Sequence, residues 1–264
     1  MNVKPGGSES AMVEERADER GSITESQFDD LPGLYESMAQ WPFRKEIETP
    51  SVLQRLGSVE QMDVLDFGCG SGLYSRLLKE RGARRVVGYD EAEGMLRYAS
   101  RREEKERRGI EYTSRLADRL EGQFDVVLGV YVLPYASTRE GLHAMCASMS
   151  RLLRPGGRLL TLPIHPAYEG DPEYYRPYGL RLVSDRPHEE GGAVQLELSY
   201  DHFEASVTAW YWSAAALETA LRAAGFGSIP HRVASHGGET GPQVGAPVRK
   251  RAHGRCERSG CRDE

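Results

Sequence analysis

Val64-Leu65-Asp66-Phe67 runs into a glycine-rich turn, Gly68-Cys69-Gly70-Ser71-Gly72, and Val86-Val87-Gly88-Tyr89 ends on an acid, Asp90. Glycines in such a turn let the backbone come close to a ligand, and a carboxylate ending the next strand can receive two ribose hydroxyls. The chemistry these residue types point to is capture of a nucleoside-bearing cofactor. Their spacing narrows the choice. Gly68-x-Gly70-x-Gly72 is GxGxG, whereas the dinucleotide fingerprint needs a glycine or alanine where this chain has Leu73. A pyrophosphate must sit at the helix N-terminus between strand and helix. S-adenosylmethionine has no phosphate; its aminoacyl chain lies across the loop, and Asp66, just before the glycines, is placed to receive the ammonium.

Further candidates follow the later apolar runs. Val130, Tyr131, Pro134 and Tyr135 come at the end of the run that starts at Phe124, where ligands of α/β sheets bind, so Tyr131 and Tyr135 are candidates to wall a transfer site. His165 follows the next run at the same edge. A neutral imidazole there can take a proton from an attacking hydroxyl or amine; the alternative is a loop histidine flanked by Pro163 and Pro166. His202 is a weaker candidate for that role, and Cys69 reads as a small buried residue of the turn. His253, Cys256 and Cys261 are too few and too loosely spaced for a tetrahedral site, so no metal is expected.

The elements that must position these residues alternate short apolar runs with helical stretches, the pattern of a parallel sheet covered on both faces. The runs are Val64–Phe67, Val86–Tyr89, Ile110–Ser114, Phe124–Tyr131 and Arg158–Leu162, the last entered through a Pro155-Gly156-Gly157 turn. Ser137-Thr138-Arg139-Glu140 has the form of a capping box, and Glu103 and Arg107 stand at i,i+4 on a charged helix face. Before the sheet, Leu34, Tyr35, Met38, Trp41, Phe43 and Ile47 predict two short helices broken at Pro42. After it, 180–184 and 194–211 alternate like antiparallel strands, Ser213 caps a helix that ends at Gly225, and 228–234 suits one more strand. Residues 1–27 are polar and are expected to be disordered; 28–235 form the domain, with a helical segment at 28–57 and an insertion at 167–212; 236–264 are expected to be a disordered tail.

Asp66-x-Gly68-x-Gly70-x-Gly72, Asp90, Phe124-Asp125-Val126-Val127 and Leu153-Arg154-Pro155-Gly156-Gly157 together resemble a class I S-adenosylmethionine-dependent methyltransferase over about residues 30–234. Within that family the chain is most similar to bacterial enzymes that methylate small molecules, including those of specialised metabolism. The resemblance implies an α/β, doubly wound, Rossmann-like sheet with an N-terminal helical lid and an antiparallel addition after the fifth strand. It implies that Gly68 and Gly70 pack backbone against the cofactor, that Asp90 takes the ribose, and that Glu91 and Met95 border the adenine. Tyr35 and Arg44, in the lid, are the candidates to hold the cofactor carboxylate. The chain departs from the family after the third strand, where the expected acid is Leu116; either Asp118 shifts in or the backbone of Leu116 and Ala117 serves. The implied reaction is methyl transfer to an O, N or activated C atom of a small-molecule acceptor. The alternatives are a non-catalytic binder of the same cofactor and a nicotinamide-dependent oxidoreductase, against which Leu73 counts.

Composition restricts the partners. With 34 basic and 40 acidic residues the formal charge is −6, which offers no general attraction to nucleic acid or anionic membrane. No run of about 18 apolar residues exists, so no membrane span is expected. The four cysteines are scattered and give no disulfide framework, which predicts a reduced, cytoplasmic setting.

Overall fold

The computed structural model describes residues 27–200, 203–227, 235–236, 239–240 and 248–250. The expected strand over 228–234 and His202, His253, Cys256 and Cys261 lie outside them, as do residues 1–26. In chain order the main elements are α1 (Pro32–Met38), a π-helical turn (Phe43–Glu48), α2 (Thr49–Leu56), β1 (Asp63–Phe67), α3 (Leu73–Glu80), β2 (Arg85–Tyr89), α4 (Glu93–Glu106), β3 (Ile110–Thr113), β4 (Phe124–Val130), α5 (Arg139–Leu152) and β5 (Leu153–Leu162). There follow a 3₁₀ segment (Pro172–Tyr178), β6 (Leu180–Val183), β7 (Ala193–Tyr200), β8 (Phe203–Trp210), α6 (Ala214–Ala223) and the two-residue strands β9 (Ser235–His236), β10 (Glu239–Thr240) and β11 (Val248–Arg249).

The main sheet has the order β11-β5-β4-β1-β2-β3, and β1 to β5 are all parallel. Its side chains alternate between two cores, as the two-residue strand period requires. Leu65, Phe67, Val87, Val127 and Leu159 pack under α5 and α6, whereas Val64, Val86, Val126, Leu128 and Leu160 pack under α2 and α3. Val126, Val127 and Leu128 of β4 are completely buried, each contributing roughly 1.5–3 kcal/mol. Because the strands run in one direction, their carboxyl ends emerge together and bring Asp66, Asp90, Tyr131 and His165 to one edge.

At the opposite edge an ion-pair group ties the strand starts together. Arg84 is bidentate to Asp63 (2.8 and 2.7 Å), and Arg154 bridges Asp63 (2.7 Å) and Asp125 (2.6 Å). These arginines hold the Asp63 carboxyl down at about 2.

Several local expectations need correction. Thr138, not Ser137, caps α5, its Oγ1 accepting from the Gly141 amide at 3.0 Å, so Glu140 closes no capping box. Glu103 accepts from the amides of Gly109 and Ile110 rather than pairing with Arg107, which ends α4 in the left-handed region at φ 50°. β5 starts earlier than read: Leu153 pairs with Phe124 and Arg158 with Val126, so Pro155-Gly156-Gly157 bulges within the strand. Part of the segment expected to be a disordered tail joins the sheet, since β11 pairs antiparallel with β5. The physical reason is Lys250, whose ammonium binds the carbonyls of Ser150 (2.9 Å) and Leu153 (3.0 Å) at the C-terminus of α5, where a cation complements the helix dipole.

The insertion after β5 forms a separate three-stranded antiparallel sheet, β6-β7-β8. The N-terminal segment lies across the site edge and is fastened at three places. Gln27 exchanges hydrogen bonds with the Thr208 backbone (3.1 and 2.9 Å), Asp29 accepts from the Gly94 amide (2.6 Å), and Glu36 pairs with Arg76 (2.8 Å) and Arg102. Among the described residues no helix is long and apolar enough to cross a membrane.

Candidate functional site

One cavity of about 600 Å³ lies between the strand ends, the N-terminal segment and the antiparallel sheet. Its first half is built on β1 and β2. β1 delivers Asp66 to the edge with 2% exposure, where Oδ2 accepts from the Ser75 hydroxyl at 2.6 Å. Burial pushes this carboxyl up to about 7, against the lowering effect of Ser75. Gly68 and Gly70 both adopt left-handed φ (73° and 52°). A Cβ on Gly68 would stand 2.6 Å from Val132 Cγ2, whereas one on Gly70 would meet nothing within 4 Å. The turn is therefore held from behind at Gly68 and left open at Gly70, a cradle for a ligand that lies against backbone. Asp90 stabilises this turn directly: Oδ2 accepts from the Gly70 amide (2.7 Å) and Oδ1 from the Ala92 amide (2.9 Å). Burial raises its pKa, opposed by those amide bonds. Glu91 accepts from the Tyr89 hydroxyl (2.8 Å), and Glu91, Met95, Leu116 and Val130 line the same wall. Ala117 and Asp118 are exposed and outside it, Asp118 opening a 3₁₀ turn.

The N-terminal segment closes the cavity with a buried polar group. Arg44 and Glu48 lie one π-helical turn apart, with Nε and Oε1 3.1 Å apart, and both are buried. The Tyr74 hydroxyl donates to Glu48 Oε1 at 2.9 Å. Burial disfavours the Arg44 charge, but Glu48, Tyr74, Tyr131 and Tyr35 together outweigh it and the guanidinium pKa is raised. The ion pair is too poorly angled to be a hydrogen bond, and Arg44 Nε and Glu48 Oε2 have no hydrogen-bond partner among the described residues. Tyr35, Tyr131 and Tyr135 surround this pair and line the cavity, and burial raises the pKa of each. Tyr131 is turned inward by a left-handed backbone (φ 54°) fixed by its amide bond to the Leu162 carbonyl at 2.7 Å.

The other half of the cavity is apolar. Cross-strand pairs Leu180–Leu198 and Leu182–Leu196 of the antiparallel sheet face it, with Ala209, Met38 and Phe43. Tyr168, Tyr174 and Tyr175 contribute to the wall, whereas Tyr178 packs edge-on against Phe43 outside it. Trp41 is core, 3% exposed among Leu34, Met38 and Leu198. His165 lines this half, with Nδ1 accepting from the Ala167 amide at 3.1 Å.

Residues 64–157 match the family model described as a methyltransferase domain. That stretch spans the glycine turn, Asp90 and the Pro155-Gly156-Gly157 bulge, so it holds the first half of the cavity. A ubiquinone biosynthesis O-methyltransferase of Idiomarina loihiensis is 35% identical over 116 residues, 40% of this chain and 46% of that protein. The chain spans about half the length of the curated relatives it matches. Among solved structures, Streptomyces venezuelae DesVI superposes with a TM-score of 0.58 at 21% identity, covering 84% of this chain and 98% of that one. An S-adenosylmethionine-dependent methyltransferase of Mesorhizobium loti gives 0.55 at 19% identity, covering 81% and 100%. At those identities the likeness is one of fold, and the fold is that of the class I methyltransferases.

The cavity gathers Asp66, Gly68, Gly70, Asp90, Glu91, Met95, Leu116, Val130, Tyr131, Tyr135, Tyr35, Arg44 and His165. Sequence reasoning missed Glu48, Tyr74 and Ser75. Glu48 did carry a signal, standing four residues after Arg44 on a helical stretch, but a charged residue there reads as solvated. Ser75 carried none.

Proposed function

We propose that the chain transfers a methyl group from S-adenosylmethionine to an oxygen, nitrogen or activated carbon of a small apolar acceptor. The observation that carries this reading is one cavity with two unlike halves. One half offers an open glycine cradle between two buried carboxylates, and the other is lined by leucine and tyrosine. Bound there, S-adenosylmethionine supplies a methyl group activated by its sulfonium. Asp66, ionised, pairs with the ammonium; Arg44, kept charged by Glu48, faces the carboxylate; Asp90 keeps lone pairs for the ribose hydroxyls beyond its two backbone bonds. The remaining residues act by placing the acceptor and excluding water from it, which supplies most of the acceleration in a displacement of this kind.

A relative named for O-methylation in ubiquinone biosynthesis favours an oxygen as the acceptor atom. A cytoplasmic location and a role in specialised metabolism belong to the same proposal. The experiment is transfer of isotope-labelled methyl from S-adenosylmethionine to a panel of flat phenols, catechols and amines, with product identified by mass. Labelled product that depends on the protein supports the reading. A folded protein that binds the cofactor and labels nothing favours the non-catalytic binder.

A further inference from the structure

Among the described residues, Asp66 is a buried carboxylate with a hydrogen bond but no paired cation. It ends β1 in the cavity wall, 2% exposed. Its Oδ2 accepts from the Ser75 hydroxyl at 2.6 Å, the only hydrogen bond that a described side chain gives it. Ser75 itself is completely buried in the first turn of α3. Asp66 Oδ1 has no hydrogen-bond partner among the described residues, yet it is not one of the unpartnered atoms that protein covers. The small exposed part of this carboxylate therefore belongs to the oxygen that Ser75 leaves free.

The groups around Asp66 leave that oxygen unmatched. Arg76 of α3 favours the charge only from a distance, because its guanidinium is committed to the Ser71 carbonyl (2.8 Å) and to both oxygens of Glu36 (2.9 and 2.8 Å). Asp90, at the end of β2, opposes the charge. The Cys69 thiol and the Tyr112 hydroxyl of β3 also face Asp66, and burial pushes both up, so both stay neutral. Ser75 is thus the one side chain in contact that favours an ionised Asp66, and the missing cation is left for a ligand to bring.

We infer that Ser75 is a positioning residue for the aminoacyl end of the cofactor: its hydroxyl engages Oδ2 and holds Asp66 ionised, with Oδ1 free for the ligand's ammonium. The inference rests on the methyl-transfer reading for the identity of that ligand. A hydroxyl donating to a carboxylate favours its charged form. Without it, Asp66 keeps its proton to higher pH and loses the contact that fixes its orientation, so the ammonium meets a neutral acid. Ser75 thereby sets how strongly the site prefers adenosyl ligands that carry an aminoacyl chain over those that do not.

The test titrates the full chain calorimetrically with S-adenosylhomocysteine and with 5′-methylthioadenosine between pH 6 and pH 8. The second ligand has the same nucleoside and a thioether but no aminoacyl chain. Wild type should prefer S-adenosylhomocysteine, and the preference should rise with pH as Asp66 ionises. In Ser75→Ala the preference should fall about tenfold at pH 7 and its rise should move to higher pH. Affinity for 5′-methylthioadenosine should stay that of wild type at every pH, which a general loss of structure would not allow. Ser75→Thr, which keeps a hydroxyl, should retain most of the preference. An Ala variant with wild-type preference, an unmoved pH profile, or equal losses for the two ligands would overturn the proposal and leave the cofactor reading standing. Wild type that binds neither ligand, or binds the two equally, would overturn the cofactor reading of Asp66 and the proposal with it.

Discussion

Asp66→Asn separates the stability of this site from its function. Asp66 is 2% exposed, and its carboxyl is raised from 3.8 to about 7 by burial. An acid whose pKa is raised on folding contributes stability that is complete below the unfolded value and is lost as pH rises through the folded one. The full penalty of ionising Asp66 in the ligand-free protein is on the order of 4 kcal/mol, of which about 3 kcal/mol develops between pH 5 and pH 8. Asparagine keeps the shape and a partner for Ser75 but cannot ionise. Its stability advantage over the wild type should therefore grow by about 3 kcal/mol from pH 5 to pH 8, a difference of roughly 5–10 °C in relative Tm for a domain this size. Paired urea titrations at the two pH values measure it, and calorimetry on the same samples should show affinity for S-adenosylmethionine falling about tenfold or more in the variant. An advantage that is the same at both pH values, or a variant less stable than wild type at pH 8, would refute the argument from burial.

The remaining predictions concern the other charged groups. Asp90→Ala should weaken S-adenosylhomocysteine binding by about a hundredfold through loss of two charge-assisted hydrogen bonds, and should lower Tm by a few degrees because the Gly70 and Ala92 amides lose their acceptor; a calorimetric titration with a thermal melt reads both. Glu48→Gln leaves the buried Arg44 charge uncompensated and should cost about 3 kcal/mol in urea unfolding at pH 7; an unaltered midpoint would show that Glu48 does not support Arg44. Asp63, held at about 2, contributes stability present above pH ~4 and lost as pH falls toward 2. Its partners Arg84 and Arg154 are partly solvated, so the contribution is about 1–2 kcal/mol, and Asp63→Asn should flatten that limb of the acid-denaturation curve.

What was legible in the sequence and what was not divide along physical lines. The parallel sheet was legible because each buried strand is a short run of β-branched or aliphatic residues ended by a turn signal, and Asp66 and Asp90 stand at strand ends where position alone fixes their place. Strand starts were harder to read: the Arg154–Gly157 bulge looks like a turn because its residues are turn formers. β11 was invisible because two residues in an arginine-rich segment have no periodicity, and what holds them is a lysine reaching the carbonyls of a distant helix. The same cause hid Glu48, whose burial depends on Tyr74 and Arg44 meeting it from two elements. At Asp118 the residue type suggested a ligand contact, but the 3₁₀ turn carries it into solvent. For His165 the edge was legible and its bond to the Ala167 amide was not, since that bond depends on the fold of one short loop.

The methyl-transfer proposal depends on the glycine cradle and its two carboxylates binding S-adenosylmethionine. Calorimetric titration of the purified chain with S-adenosylmethionine, S-adenosylhomocysteine and NADH tests it most directly. Saturable one-to-one binding of both adenosyl ligands is expected, with proton release on binding S-adenosylmethionine at pH 6 as Asp66 ionises, and no binding of NADH. A folded protein that binds neither adenosyl ligand, or that binds NADH as well as it binds them, would contradict it.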